Sequence, residues 1–268
     1  MDLTSLSNKN IDNYMQYLNR MSNSCQKSSK CLIPALVKGK ALDVGCGSGI
    51  LLEQLNNADG IDLNENSVKV CKEKNLNVKC KALQDVTNTY DTIIFSSVLH
   101  EISSYDTNAR YTKLPIIEAL NAAKNILNNN GQIIIRDGVC ADINQITLEV
   151  KSESIINDIL QYFKDAPMYI AEYIKINGKK ITVNSSFIKE FMFTYTWGKD
   201  SYFREVQEKF GILRKNEWIK IVKDVGFKIK YVQTFREEYV EYLSKYFVVT
   251  NELVELLNES TILIVAEK

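Results

Sequence analysis

The chain has 268 residues, 45% of them apolar and 25% charged, which is enough to form one large domain, or one domain with a substantial insertion, without stapling by disulfides. Lys plus Arg and Asp plus Glu number 33 each, so the net charge is zero and binding to a polyanion by bulk attraction is disfavoured. The single histidine, His100, excludes metal sites that need two or three imidazoles from this chain, and we expect no metal.

The six cysteines form no CxxC pair, and this spacing argues against a zinc knuckle or a thioredoxin-type site. Residues 1–13 are polar and lack a signal-peptide core, and no apolar run approaches the roughly 18–20 residues of a membrane span. These features favour a cytoplasmic protein with no membrane partner.

The predicted elements begin with an N-terminal helical cap over residues 1–40. Ile11, Tyr14, Met15 and Leu18 recur at the spacing of one apolar helix face. Strand-like and helix-like segments then alternate. We predict strands at 41–44, 60–63, 78–83, 91–97 and 132–136, with helices opening at 50–55, after the capping residue Asn64, and over 114–127. This alternation is typical of a parallel sheet covered by helices on both faces.

The rhythm breaks after Asp137 and returns near residue 213. Two alternating runs around Asn177-Gly178 predict a β-hairpin over 174–183, and the aromatic segment 191–197 is interpreted as a strand with its large side chains on one face. A helix over 215–225 and strands over 227–234 and 261–267 follow. We therefore predict an α/β fold with a doubly wound, mostly parallel seven-stranded sheet. Its core spans 41–137 and 213–268, and an inserted lid with a hairpin spans 138–212.

A glycine-rich loop, Asp43-x-Gly45-x-Gly47-x-Gly49, joins the first strand to the next segment. Glycines at such a position allow a tight turn and a close approach of the backbone to a ligand. A dinucleotide site expects a third glycine at position 50, where this chain has Ile50. An acid two residues before the first glycine instead suits a ligand with a cationic amine, which Asp43 can face directly or through water.

The segment from Leu42 to Gly49 resembles motif I of the class I S-adenosylmethionine-dependent methyltransferases. The likeness extends over roughly 32–137 and 213–268, including Asp62 at the end of strand two and 96–101 after strand four. The resemblance implies S-adenosylmethionine as the cofactor, with Asp62 on the ribose hydroxyls. Asp85 is implied on the adenine amine, although Leu83 or Gln84 could fall in that register instead. Cys46 is expected to pack beside the cofactor rather than react. The cofactor-binding residues expected from this resemblance are Asp43, Gly45, Cys46, Gly47, Asp62, Leu63, Asp85 and Ser96.

Methyl transfer from a sulfonium requires alignment and desolvation, and a base only when the acceptor arrives protonated. His100 follows strand four at the edge where acceptors meet the methyl group in this fold, and its ordinary pKa of about 6.5 suits a general base. It is our candidate catalytic residue. The alternative is that His100 packs at a helix start or borders the adenosine. The carboxylate of Glu101 is the alternative candidate for the general base.

The lid offers aromatic candidates for acceptor binding, Tyr195 and Trp197, whose alternative role is packing within the lid. Arg136 and Arg204 either bind an anionic group of the acceptor or form salt bridges. Lysines make the hairpin region locally basic, and they are Lys175, Lys179, Lys180 and Lys189.

Three functions stay open at this point. The first is a methyltransferase for a small-molecule acceptor, the second an RNA or nucleotide-linked methyltransferase that uses the basic hairpin, and the third a non-catalytic partner or sensor that binds S-adenosylmethionine. Strand four is followed by Ser96-Ser97-Val98-Leu99 rather than by the Asn-Pro or Asp-Pro motif of many nucleic-acid amino-methylating enzymes. The first function is therefore favoured, and the sequence does not indicate an oligomeric state.

Overall fold

The computed structural model describes residues 28–142, 144–170, 172–198 and 201–268. The helix predicted over 11–18 lies outside this part of the chain. The ten strands are β1 Ala41–Val44, β2 Ala58–Asp62, β3 Val78–Cys80, β4 Tyr90–Ser96, β5 Leu127–Gly138, β6 Gln145–Glu149, β7 Ile174–Asn177, β8 Lys180–Asn184, β9 Lys228–Phe235 and β10 Thr261–Glu267. The α-helices are α1 Ile33–Leu36, α2 Glu65–Glu73, α3 Leu99–Tyr105, α4 Leu114–Ile126, α5 Glu153–Asp165, α6 Ser185–Thr196, α7 Tyr202–Glu205, α8 Lys215–Asp224, α9 Tyr239–Leu243 and α10 Asn251–Asn258.

Seven strands form one sheet in the order β3-β2-β1-β4-β5-β10-β9. The pairs from β3 to β5 are parallel, and β10 runs antiparallel between β5 and β9. Apolar clusters cover both faces of this sheet, as expected for a doubly wound fold. The predicted fold class is confirmed. No helix among the described residues is long and apolar enough to cross a membrane.

Two of the predicted elements of the main sheet differ from the structure. The helix predicted to open at residue 50 is a single 3-10 turn, Leu52–Gln54, because β2 already begins at Ala58 and leaves little chain between them. Strand three ends at Cys80 rather than at residue 83, and a 3-10 turn, Leu83–Asp85, follows it. The cap predicted for the next helix is confirmed, since the Asn64 side chain accepts a hydrogen bond from the N–H of Asn66 at 2.9 Å.

The lid contains a second sheet, β6-β8-β7, and a core of its own. The predicted hairpin is present as β7 and β8, which pair around Asn177 and Gly178. The strand predicted over 191–197 is wrong, since residues 191–196 form the C-terminal half of helix α6. Helix α6 is buried on nearly all sides from Ser185 to Thr194, which removes the polar face that would have revealed a helical period.

The lid core also includes a segment from later in the chain. Val240 and Leu243 from α9 and Leu253 and Leu257 from α10 pack in the same cluster as Phe191 of α6. The lid therefore combines the insertion after β5 with the connection between β9 and β10. The predicted lid, residues 138–212, does not include this connection.

Candidate functional site

The glycine loop follows β1 at the carboxyl edge of the sheet. Gly45, Gly47 and Gly49 have φ values of +66°, +53° and +79°, which side chains rarely adopt. A Cβ at Gly45 would lie 2.4 Å from a methyl group of Val98, so the loop packs tightly there. A Cβ at Gly47 would meet nothing within 4 Å, which leaves open space beside the loop for a ligand.

Asp62 at the end of β2 is tied to this loop. One carboxylate oxygen accepts the N–H of Gly47 and the other accepts the N–H of Asn64, each at 2.8 Å. Burial raises the pKa of Asp62 despite these two hydrogen bonds. The structure therefore brings Asp62 together with the glycine loop, as the motif spacing predicts.

Asp43 lies beneath the loop and is only 2% exposed. Burial raises its pKa to about 7, with Lys30 opposing and Asp62 reinforcing the shift. A cationic amine placed beside Asp43 would stabilise the carboxylate form, so this buried acid suits a ligand with an ammonium group.

The other residues expected around the cofactor have different environments. Cys46 is buried and packs closely against Gly60, where a Cβ atom would come within 2.9 Å of the Cys46 sulfur. This close contact agrees with a packing role for Cys46. Ser96 at the end of β4 is buried, and its hydroxyl finds no hydrogen-bond partner among the described residues. Leu63 is 57% exposed and Asp85 is exposed, so both reach solvent near the ends of β2 and β3.

These observations fit S-adenosylmethionine. The open side of Gly47, the paired carboxylate of Asp62, the buried acid Asp43 and the unpartnered hydroxyl of Ser96 offer a close backbone approach and groups that accept N–H and O–H donors. They lie at the carboxyl ends of β1, β2 and β4, and this edge is where open α/β sheets bind ligands.

His100 lies in the first turn of α3 and is 5% exposed. Its Nδ1 is 2.6 Å from Oδ1 of Asp137, and its Nε2 is 3.6 Å from Oε2 of Glu208 in the lid. Burial would lower the pKa of His100, but the carboxylates of Asp137 and Glu208 outweigh it and hold the pKa well above its ordinary value. These two carboxylates therefore favour the protonated form of the ring between the sheet and the lid.

Glu208 of the lid is a residue beside His100 that the sequence did not predict. Oε1 of Glu208 accepts a hydrogen bond from Tyr105 at 2.9 Å and from Nε of Arg204 at 3.2 Å, and Nη2 of Arg204 donates to Glu101 at 3.0 Å. The contacts of Glu208 with Tyr105 and of Arg204 with Glu101 each join positions 103 residues apart, so no local pattern could reveal them. The predicted salt-bridge role of Arg204 is observed here.

Arg136 forms the other predicted salt bridge. Its guanidinium lies 2.9 Å from Glu237 and also donates to Ser97 and Ser29. Arg136 thus links the end of β5 to the segment that follows β9.

The aromatic candidates of the lid are placed within its packing. Tyr195 donates its hydroxyl hydrogen to Asp158 at 2.7 Å, and its ring packs against Phe191 and Tyr246. Trp197 is half-buried at the C-terminal end of α6. Because 191–197 is helical, Tyr195 and Trp197 point in different directions and do not form one flat wall.

Comparisons with known proteins agree with this geometry. Residues 10–231 match the family model described as a methyltransferase domain. The mitochondrial ubiquinone biosynthesis O-methyltransferase of Saccharomyces cerevisiae is 32% identical over 110 residues, and the match covers 34% of this chain and 35% of the yeast protein. The chain therefore matches about one third of the length of this curated relative.

Solved structures show the same fold at low identity. An S-adenosylmethionine-dependent methyltransferase from Thermotoga maritima has a TM-score of 0.53 and 14% identity, with 96% of each chain covered. One from Mesorhizobium loti has a TM-score of 0.52 and 14% identity, covering 91% of this chain and 98% of the other. The chain belongs to the methyltransferase domain family, whose members are class I S-adenosylmethionine-dependent methyltransferases.

Proposed function

We propose that this chain transfers the methyl group of S-adenosylmethionine to a small-molecule acceptor. The observation that supports it most is the position of the lid, whose residues Arg204 and Glu208 contact Glu101 and His100 directly at the edge that follows β4. An acceptor at this edge would be enclosed by the chain itself. Enclosure favours small molecules over a long polymer.

Residues of the glycine loop and its surroundings would hold the cofactor. Gly45 and Gly47 allow the close backbone approach, Asp43 faces the amine, and Asp62 accepts the ribose hydroxyls. Cys46, Leu63, Asp85 and Ser96 complete the proposed set. When bound, S-adenosylmethionine supplies the activated methyl group, and the chain contributes orientation and exclusion of water.

A proton must leave the acceptor if it arrives protonated, and two side chains are candidates to receive it. His100 is the base predicted from the sequence, and this assignment requires Glu208 to move away from Nε2. The contacts support a second assignment in which Glu208 receives the proton and His100 positions it. Hydrogen bonding and charge from Arg204 and His100 lower the pKa of Glu208 in spite of burial, so that its carboxylate is ionised.

The basic hairpin gives less support to an RNA acceptor than its sequence suggests. Lys175, Lys179 and Lys180 are exposed, but Lys189 is 2% exposed and donates to the carbonyl of Glu259 at 2.9 Å. Burial lowers the pKa of Lys189 to about 8. Lys189 therefore cannot contribute to a phosphate-binding surface.

Two measurements test the proposed function. Calorimetric titration with S-adenosylhomocysteine should show saturable binding, and methyl transfer from labelled S-adenosylmethionine to a library of small hydroxyl and amine compounds should yield a labelled product. No binding would contradict the assignment, and binding without any turnover would favour the non-catalytic sensor. RNA binding that weakens steeply with salt, together with labelled RNA, would favour the nucleic-acid alternative.

A further inference from the structure

Acidic groups outnumber basic groups where helix α3 meets the lid. The six residues of this cluster, which we call the clasp, are Glu101, Asp137, Glu205, Glu208, His100 and Arg204. Ion pairs link His100 to Asp137 and Glu208, and Arg204 to Glu101 and Glu208. With every group ionised, two carboxylates have no cation to balance them.

Glu205 carries part of this excess. It is 1% exposed, and its Oε1 has no hydrogen-bond partner among the described residues. Its carboxyl group interacts electrostatically with those of Glu208 and Glu101 and with Arg204 and His100, which places it within the clasp. A buried acceptor without a donor is costly, so a ligand that donates an N–H there would be stabilised.

Burial favours the protonated form of two carboxyl groups in the clasp. Burial, reinforced by Glu208, raises the pKa of Glu205 well above its ordinary value and raises the pKa of Glu101 to about 7. A bound cation would lower both pKa values and release protons.

Two side chains of the clasp are partly exposed to solvent. The side chains of Glu101 and Arg204 are 31% and 26% exposed, whereas Glu208 and Asp137 are buried. The charge of Arg204 also acts on Asp62 at the glycine loop. The clasp therefore borders the space between the cofactor residues and the lid.

We propose that the clasp binds a cationic nitrogen of the methyl acceptor, which makes amines the acceptor class of this protein. This inference rests on the proposed function, because only a methyltransferase would use the bound amine as a methyl acceptor. His100, Glu101 and Glu208 also offer ligand atoms within 4.8 Å of one another, a spacing that suits a divalent cation. An ammonium group fits better than a divalent cation. The guanidinium of Arg204 already contacts oxygens of Glu101 and Glu208, and it would repel a divalent charge more strongly than a single charge.

The test compares the binding of benzylamine and benzyl alcohol, since only the amine carries a cationic nitrogen. Both are titrated calorimetrically into the full chain, with and without saturating S-adenosylhomocysteine. The amine should bind roughly tenfold or more tightly than the alcohol, as expected for hydrogen bonds to charged groups. Titration at pH 7 in two buffers of different ionisation enthalpy should show proton release for the amine only.

Glu205→Gln should abolish most of the preference for the amine and reduce the proton release, while binding of S-adenosylhomocysteine and the melting temperature stay close to wild type. The matched control is Glu255→Gln, at an exposed position of α10, which should leave the preference intact. Equal binding of amine and alcohol, or an unchanged preference in Glu205→Gln, would overturn the proposal, as would Mn²⁺ binding that depends on Glu205 and displaces the amine. Failure to bind S-adenosylhomocysteine would instead contradict the proposed function. The two failures can be told apart, because the amine is also titrated in the absence of S-adenosylhomocysteine.

Discussion

Asp137 holds both the ring and the backbone of His100. Its Oδ1 lies 2.6 Å from Nδ1 of the ring, while its Oδ2 accepts the N–H groups of Leu99 and His100 at 2.9 and 3.2 Å. A single carboxylate at the end of β5 therefore fixes the start of α3 and directs Nε2 towards the lid. The identity of the group that faces Nε2 then decides what His100 can do.

The two candidate proton acceptors give different results on substitution. We expect Glu208→Gln to lower kcat by about 100-fold or more, because general-base contributions are typically of that size, with S-adenosylmethionine affinity within about twofold. His100→Asn should lower kcat less, because it removes a positioning group. The pH profiles of kcat with a fixed acceptor provide the measurement. A larger loss in His100→Asn, together with disappearance of an alkaline ionisation from the pH profile, would support His100 as the base.

The ion pair of His100 also affects stability as a function of pH. Because the folded-state pKa of His100 is raised, its contribution is fully present below about pH 6.5, the ordinary value, and is lost as pH rises through the folded-state pKa. Asp137→Asn should therefore cost on the order of 3–5 kcal/mol in unfolding free energy at pH 6, and less at strongly alkaline pH. Denaturant unfolding at several pH values measures this. A cost that does not change with pH would show that the pair is not charged.

Asp62 should dominate cofactor affinity. Asp62→Ala removes the proposed ribose contact and two hydrogen bonds to the backbone, so binding of S-adenosylmethionine should weaken roughly 10- to 100-fold. A comparison variant, Asp85→Ala, removes the proposed adenine contact at an exposed acid in the turn after β3 and should have a smaller effect. Calorimetric titration distinguishes the two variants, and unchanged affinity in Asp62→Ala would refute the proposed ribose contact.

Two glycines of the same loop should separate stability from binding. Gly47→Ala places a methyl group in open space, so it should cost about 1–2 kcal/mol of backbone strain and weaken S-adenosylmethionine binding. Gly45→Ala adds a collision with Val98 to similar strain and should destabilise the fold more. Thermal unfolding with and without cofactor tests both. Full cofactor affinity in a folded Gly47→Ala variant would place the ligand elsewhere.

Cofactor affinity should depend on pH through Asp43. Its pKa of about 7 means that it gains a proton as pH falls below neutrality, and a neutral acid attracts an ammonium less than a carboxylate does. Affinity for S-adenosylmethionine should therefore fall between pH 8 and pH 6. The comparison variant Asp43→Asn should bind more weakly and show a flatter profile over the same range. An equally steep profile in that variant would assign the pH dependence to another group.

The class of fold and the position of the glycine loop are both predictable from the sequence, because both depend on short-range order. Alternation of strands and helices, left-handed turns that need Gly45, Gly47 and Gly49, and an acid at the end of β2 are all local features. The pattern of residues 185–196 does not predict helix α6, because burial on nearly all sides removes the periodic contrast between apolar and polar faces.

The surroundings of His100 became apparent only in the folded chain. The sequence predicts this residue after strand four, but it predicts neither Asp137 at one ring nitrogen nor Glu208 at the other. Asp137 comes from the end of β5, 37 residues away, and Glu208 from a lid segment about a hundred residues away. Burial and charge at that junction set the pKa values of the whole cluster. The residue type was readable from the chain, whereas its protonation state depends on neighbours that only folding brings together.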